Sequence, residues 1–462
     1  MNSDSRMSAG DLLVHRQVDY GGPSPAASLH HRAAPGGDYS APFALIRLVV
    51  LAIAPFILVD AAMYQFQMFV TGGGTPITPA VLKIGLLCAF VAAFLLRGRI
   101  SNPPVVKIAF VFVAYLVLEA LHQYFDLSID FVDILLGYNA YYLLPLIGVL
   151  ALSVPVNIPD RLLVGISIAL SVICGGLGIA QYLANSPIVP TSSSDGFRVM
   201  VWSSMGHIRV FSLFVAPAAC GAFFCFTASL AVAMSRRKRN LIVAIPLLAL
   251  SLFVSWASGA RTTIISTVCG VASSWIITFV SKRDRTKWLP ILWLAGGIII
   301  GVYAYSQTLS GGLSTGLMTD ATSFAERFAT WSNILEMFRS TSMLNLLVGY
   351  GMVQGQRLDP TGTGGSDNLY LALILHIGVV GLSLMMLLLW HLWQIVRREA
   401  ETRTSYLTTA VAATYSTLLL AGLFDISTFG MFFLLFAISS KASPSSKGET
   451  KQAAQAIEPA AF

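Results

Sequence analysis

Six arginines, Arg198, Arg209, Arg261, Arg327, Arg339 and Arg357, lie in segments that join apolar runs and contain no lysine. Lysine would serve equally well as a plain positive charge. An arginine-only set therefore points to the planar, bidentate guanidinium that matches phosphate or carboxylate oxygens. Chance composition combined with interfacial snorkelling is the competing explanation. Three stretches stand out around these arginines. Ser258-Gly259-Ala260-Arg261 is a tight small-residue turn that presents an arginine between two apolar runs. Glu326-Arg327 is followed by Trp331 one helical turn onward. A glycine-rich run, Gly349-Tyr350-Gly351 and then Gly355, Gly362, Gly364 and Gly365, ends at Ser366-Asp367-Asn368, where another apolar run begins. It is not a dinucleotide fingerprint, because no strand precedes it and no βαβ unit follows.

The elements that must position these residues are membrane helices. Of 462 residues, 55% are hydrophobic and 11% charged, against about 25% charged in soluble domains, and the mean hydropathy is +0.73. The formal net charge of +7 reports topology rather than a nucleic-acid partner, since most basic residues sit in short connecting loops. Apolar runs recur at 43–63, 78–96, 105–122, 134–154, 162–183, 210–234, 241–256, 262–280, 288–304, 369–396, 406–423 and 424–438, about twelve spans in all. Alternate loops are basic: Arg97 and Arg99, Arg161, Arg236-Arg237-Lys238-Arg239, Lys282 to Lys287, Arg397-Arg398 with Arg403, and Lys441 onward. That phase places these loops and both termini in the cytoplasm and the arginine-only segments outside. The five cysteines, Cys88, Cys174, Cys220, Cys225 and Cys269, lie within apolar runs without metal-ligand spacing and read as small packing residues.

Residues 1–42 mix Ser, Gly, Pro, Ala, His and Arg without an apolar h-region and read as a disordered cytoplasmic tail. Residues 43–438 form the membrane domain and 439–462 a second cytoplasmic tail. Two external loops are long, 184–209 and about 305–368. In the second, Ser323-Phe324-Ala325-Glu326 reads as a capping box, and Phe324, Phe328, Trp331, Ile334, Leu335 and Phe338 form one apolar face. An amphipathic helix follows, either on the outer membrane surface or packed on the spans below. Asp60, Lys83 and Glu119 fall in the external thirds of their runs and read as a structural ion-pair cluster.

Over residues 200–395 the three stretches together resemble the bacterial O-antigen ligase and Wzy-type O-antigen polymerase superfamily, which includes exopolysaccharide polymerases. The matching positions are Ser258 to Arg261, Arg327, Trp331, Gly349, Gly351, Asp367, Asn368, Tyr370, Gly378 and Gly381. Where the ligases carry histidine this chain has Asp367, a departure that tilts the reading toward a polymerase. The resemblance implies an all-α, GT-C-like polytopic enzyme of the bacterial inner membrane, independent of metal and cofactor. It would join undecaprenyl-diphosphate-linked oligosaccharide repeats on the periplasmic face, with membrane lipid and a chain-length regulator or other polysaccharide-assembly proteins as company. Transfer of glycan to lipid A core is the alternative within the family, and a lipid-linked oligosaccharide flippase the alternative outside it.

That chemistry assigns roles to residues. Arg261 and Arg327 would hold the charge growing on the departing diphosphate, with Arg209 and Arg198 next. Asp367 would take the acceptor proton, a role that competes with capping the helix starting at Leu369. His207, Trp331, Asn368 and Tyr370 would contact diphosphate or glycan, although His207 also reads as a plain loop residue.

Overall fold

A computed structural model describes residues 88, 103–125, 128–130, 134, 158–189, 191, 203–204, 207–214, 217–280, 286–309, 321–351, 368–402, 405–422 and 442–443. In chain order these contain α1 (Pro103–Phe125), β1 (Ile158–Pro159), α2 (Asp160–Ala184), β2 (Ser203–Ser204), β3 (His207–Ile208), α3 (Pro217–Ser235) and α4 (Leu241–Ala257). There follow α5 (Arg261–Trp275), α6 (Leu289–Leu309), α7 (Ala321–Ser340), α8 (Met343–Val348), α9 (Leu369–Thr402), α10 (Tyr406–Ser416), α11 (Leu418–Gly422) and β4 (Ala442–Ser443). A π-helical turn, Ile276–Val280, continues α5. The strands are two-residue pairings, β2 antiparallel to β3 and β1 parallel to β4.

Seven helices among the described residues are long and apolar enough to cross a membrane, and Tyr406–Ala421 adds a shorter apolar stretch. The chain is an all-α polytopic membrane protein. The apolar runs at 43–63, 78–96, 134–154 and 424–438 lie outside the described residues apart from Cys88 and Ile134. Both tails lie outside them too, apart from β4. Asp60 and Lys83 are likewise outside, so of that expected cluster only the surroundings of Glu119 are described. It is buried in α1 and accepts a hydrogen bond from Gln123 Nε2 at 2.5 Å.

Two boundaries differ from the sequence expectation. The run at 210–234 is not one helix: residues 207–214 are extended or turning, and α3 begins at Pro217. Proline suits a first helical turn because its missing N–H would have no intrahelical partner there. In α7 the helix starts at Ala321, so Ser323 lies inside the first turn rather than at the cap. Ile334 on that helix is buried, whereas Leu335, expected on the same apolar face, is 51% exposed.

The centre of the molecule is α3, almost wholly buried and packed by α2, α4, α5 and α10. Small residues let these backbones approach, as they do in helix pairs surrounded by lipid. A Cβ at Gly270 of α5 would meet Cys225 Sγ of α3 at 2.8 Å, and one at Gly178 of α2 would meet Val254 of α4 at 3.4 Å. Buried hydroxyls tie the helices across these contacts. Ser171 and Thr227 are 3.0 Å apart, Ser274 Oγ donates to the Ser229 carbonyl at 2.7 Å, and Ser416 and Trp293 both donate to Ser273 Oγ at 2.8 Å.

Among the described residues, the start of α2, the end of α3 and the end of α9 carry basic residues predicted to be cytoplasmic. There Arg237 lies 5.8 Å from the Tyr406 ring, Ser405 Oγ donates to Asp160 at 2.8 Å, and Arg397 pairs with Glu401 at 2.8 Å. Thr286 also donates to Glu401.

Helix α9 is broken. At Gly378 the backbone has φ 64° and ψ −177°, a conformation that only glycine adopts readily. The freed carbonyls are satisfied from elsewhere in the chain: Tyr350 N–H donates to Leu375 at 2.7 Å and Gly351 N–H to His376 at 3.0 Å. The Tyr115 hydroxyl of α1 lies 2.5 Å from the Ile377 carbonyl and 2.9 Å from that of Val348. Thus the Gly349-Tyr350-Gly351 turn after α8 wedges into the break, with Gln123 of α1 packed against Gly351.

Candidate functional site

The segment 207–214 is pinned to the ends of α2 and α4. Gln181 Oε1 accepts from Ser212 N–H at 2.8 Å and Phe211 N–H at 3.3 Å, while its Nε2 donates to the Ser212 carbonyl at 3.1 Å. Asn185 Oδ1 accepts from Ile208 N–H at 2.8 Å, and Val210 N–H donates to the Ala257 carbonyl at 3.0 Å. Burial alternates along the segment, with Ile208 and Val210 inward, so His207 and Arg209 share the other face.

Arg209 thereby meets the α4–α5 turn. The turn is closed by Gly259 N–H donating to the Trp256 carbonyl at 3.0 Å, and Gly259 itself has φ +62°. Ser258 Oγ donates to the Ser255 carbonyl at 2.7 Å and sits 3.2 Å from Thr263 Oγ1, which locks the first turn of α5. A Cβ on Gly259 would stand 3.1 Å from Arg209 Cγ and 3.3 Å from its Nε. Two residues on, half-buried Arg261 opens α5. An arginine at the positive end of a helix dipole is destabilising by itself, by about 0.3–1 kcal/mol. Arg209 lies against the same turn, so the turn brings the two arginines into one neighbourhood.

Beside this turn the aromatic rings gather. His207 is exposed and stacks on Tyr182, with centroids 5.1 Å apart and an interplanar angle of 17°. Tyr182 also contacts Phe253 at 5.5 Å and Trp256 at 5.7 Å.

The other expected residues fall into different surroundings. Asn368 is buried, and its Oδ1 accepts from Tyr370 N–H at 3.0 Å and Leu371 N–H at 3.2 Å. The cap of α9 is therefore Asn368, not Asp367 as the sequence suggests. The Tyr370 hydroxyl donates to the Leu419 carbonyl of α11 at 2.6 Å, which ties it to a neighbouring helix. Trp331 is half-buried on α7. Arg327 belongs to the same helix, but its side chain lies outside the described residues, as do Asp367, Arg198 and Arg357 entirely. The structure thus unites Arg209, Arg261 and His207 around one turn.

Sequence reasoning missed Tyr182, Gln181 and Asn185, which hold this arrangement. Gln181 had a visible signal, an amide near the end of the apolar run at 162–183. Among the described residues no three His, Cys, Asp or Glu side chains gather as metal ligands.

Residues 246–386 match the family described as O-antigen ligase. The matched stretch runs from within α4 through the α4–α5 turn, α7, α8 and the glycine wedge to beyond the break in α9. Over it the chain is similar to the O-antigen ligase and Wzy-type superfamily. Arg209, His207 and Tyr182 precede the matched stretch. No curated protein matches the chain.

Proposed function

We propose that the protein polymerises oligosaccharide repeats carried on a polyprenyl diphosphate, at the external face of the bacterial inner membrane. The placement of Arg209 and Arg261 around Gly259 supports this reading most directly. The sugar–phosphate bond breaks as an acceptor hydroxyl attacks the anomeric carbon, and both electrons of that bond leave with the diphosphate. Guanidinium groups fixed beforehand stabilise that growing charge without reorganising. Arg327, presented by α7, and Arg198 are assigned to the same anion. The acceptor loses its proton to Asp367, just before the Asn368 cap. Trp331 is assigned to the glycan. About twelve spans in a GT-C-like arrangement, with both termini cytoplasmic, complete the proposed enzyme.

Transfer of finished glycan to lipid A core is the second reading, favoured by the family's description as O-antigen ligase. The two differ in what a deletion strain accumulates on the carrier lipid. Single repeat units are expected for a polymerase. Long uncapped polymer would assign the chain to ligation instead.

A further inference from the structure

Of the ring cluster beside the arginine turn, only His207 has a part in the chemistry described so far. His207 is exposed, and Trp256, at the end of α4, is 48% exposed. Their partner Tyr182 is half-buried and held from beneath by Phe253, edge-on at 5.5 Å. His207 lies nearly parallel to Tyr182 rather than edge-on to it, so Tyr182 backs one face of the imidazole and the other face stays open. The strand pair that carries His207 sets it opposite Ser204. The period-two alternation then sets Arg209 on the same face as His207, one step of about 6.7 Å along the chain.

We propose that Tyr182, His207 and Trp256 form a stacking platform for a pyranose ring, specifically the sugar joined to the diphosphate that Arg209 and Arg261 hold. The C–H bonds on one face of a pyranose carry slight positive charge and pack well on the negative face of an aromatic ring. A ring on the platform and a phosphate at Arg209 are neighbours along one ligand, so the platform reads the sugar while the arginines read the anion. This inference rests on the anion-binding reading of those arginines, and the test separates the two.

The full-length chain, purified into lipid nanodiscs, is titrated with two probes: bare polyprenyl diphosphate, and the lipid-linked saccharide extracted from cells lacking this chain. His207→Ala and Trp256→Ala should weaken binding of the saccharide-bearing lipid roughly 3- to 10-fold and leave the bare lipid unaffected, with His207→Phe close to wild type. Equal weakening for both lipids would make the rings a headgroup or packing contact and overturn the platform. No weakening for either would overturn it as well. Arg209→Ala should weaken both lipids. If it weakens neither, the anion reading fails, while a saccharide-specific loss at His207 still upholds the platform.

Discussion

The stem of Arg209 lies directly on Gly259, so close that a Cβ there would stand 3.1 Å from its Cγ and 3.3 Å from its Cδ. A turn between two spans and a loop from an earlier part of the chain are thereby built around each other. Gly259→Ala should strain the turn by about 1–2 kcal/mol, because alanine tolerates the φ of +62° poorly. It should also displace Arg209 and lower transfer activity, by on the order of 10²-fold if the guanidinium moves by about an ångström. Combining it with Arg209→Ala should add little further loss in a membrane-based polymer assay at equal protein levels. Fully additive losses would show that the glycine acts independently of Arg209.

Arg261→Ala and Arg327→Ala should each reduce polymer formation about 10²-fold with normal membrane insertion, since each is assigned to charge that peaks in the transition state. Lysine should rescue poorly at both positions, because a point charge does not reproduce the two parallel N–H bonds of the guanidinium. Near-normal polymer from either alanine variant would remove that residue from the site.

Asp367 and Asn368 should separate cleanly. Since Asn368 caps α9, Asp367→Asn should leave insertion intact yet reduce activity by about 10²–10⁴-fold if the carboxylate accepts the proton. Asp367→His should retain measurable activity. Asn368→Ala should instead destabilise by about 1 kcal/mol, while Asn368→Asp keeps the cap and most stability. Wild-type turnover by Asp367→Asn would move the base elsewhere, with Glu326 the next residue to test.

The break in α9 should contribute clearly to stability. Gly378→Ala puts a side chain into a glycine-only conformation, at about 1–3 kcal/mol, and drives it against the Leu347 carbonyl. Thermal unfolding of the purified protein should shift down clearly, and more than for Tyr115→Phe, which loses one hydroxyl from two carbonyls at about 1–3 kcal/mol. A Gly378→Ala variant as stable as wild type would mean that the wedge rearranges freely.

Much of this molecule is legible in the sequence because the relevant signals are local. Apolar runs long enough for a bilayer declare the helices at 241–256, 262–280 and 369–396, since each span must satisfy its own backbone in lipid. The alternation of basic loops predicts an order for their ends, and the absence of lysine from one set singles out Arg209 and Arg261 as candidates. Family resemblance locates the α4–α5 turn and the glycine-rich stretch.

The sequence could not decide what those residues touch. Gly378 could equally have served close helix packing. Its break depends on Tyr350, Gly351 and Tyr115 arriving from other elements to take the carbonyls it frees. Asp367 was the cap candidate in the sequence, yet helix phase gave that place to Asn368 through the backbone N–H groups of Tyr370 and Leu371. Arg209 and Gly259, fifty positions apart, meet only because Gln181 and the Ala257 carbonyl hold the intervening loop. Hydropathy and charge are properties that each segment carries by itself. Contacts between distant segments are set by the packing of α2, α3, α4 and α5 together, where small residues and buried hydroxyls fix how closely and in what register the helices meet.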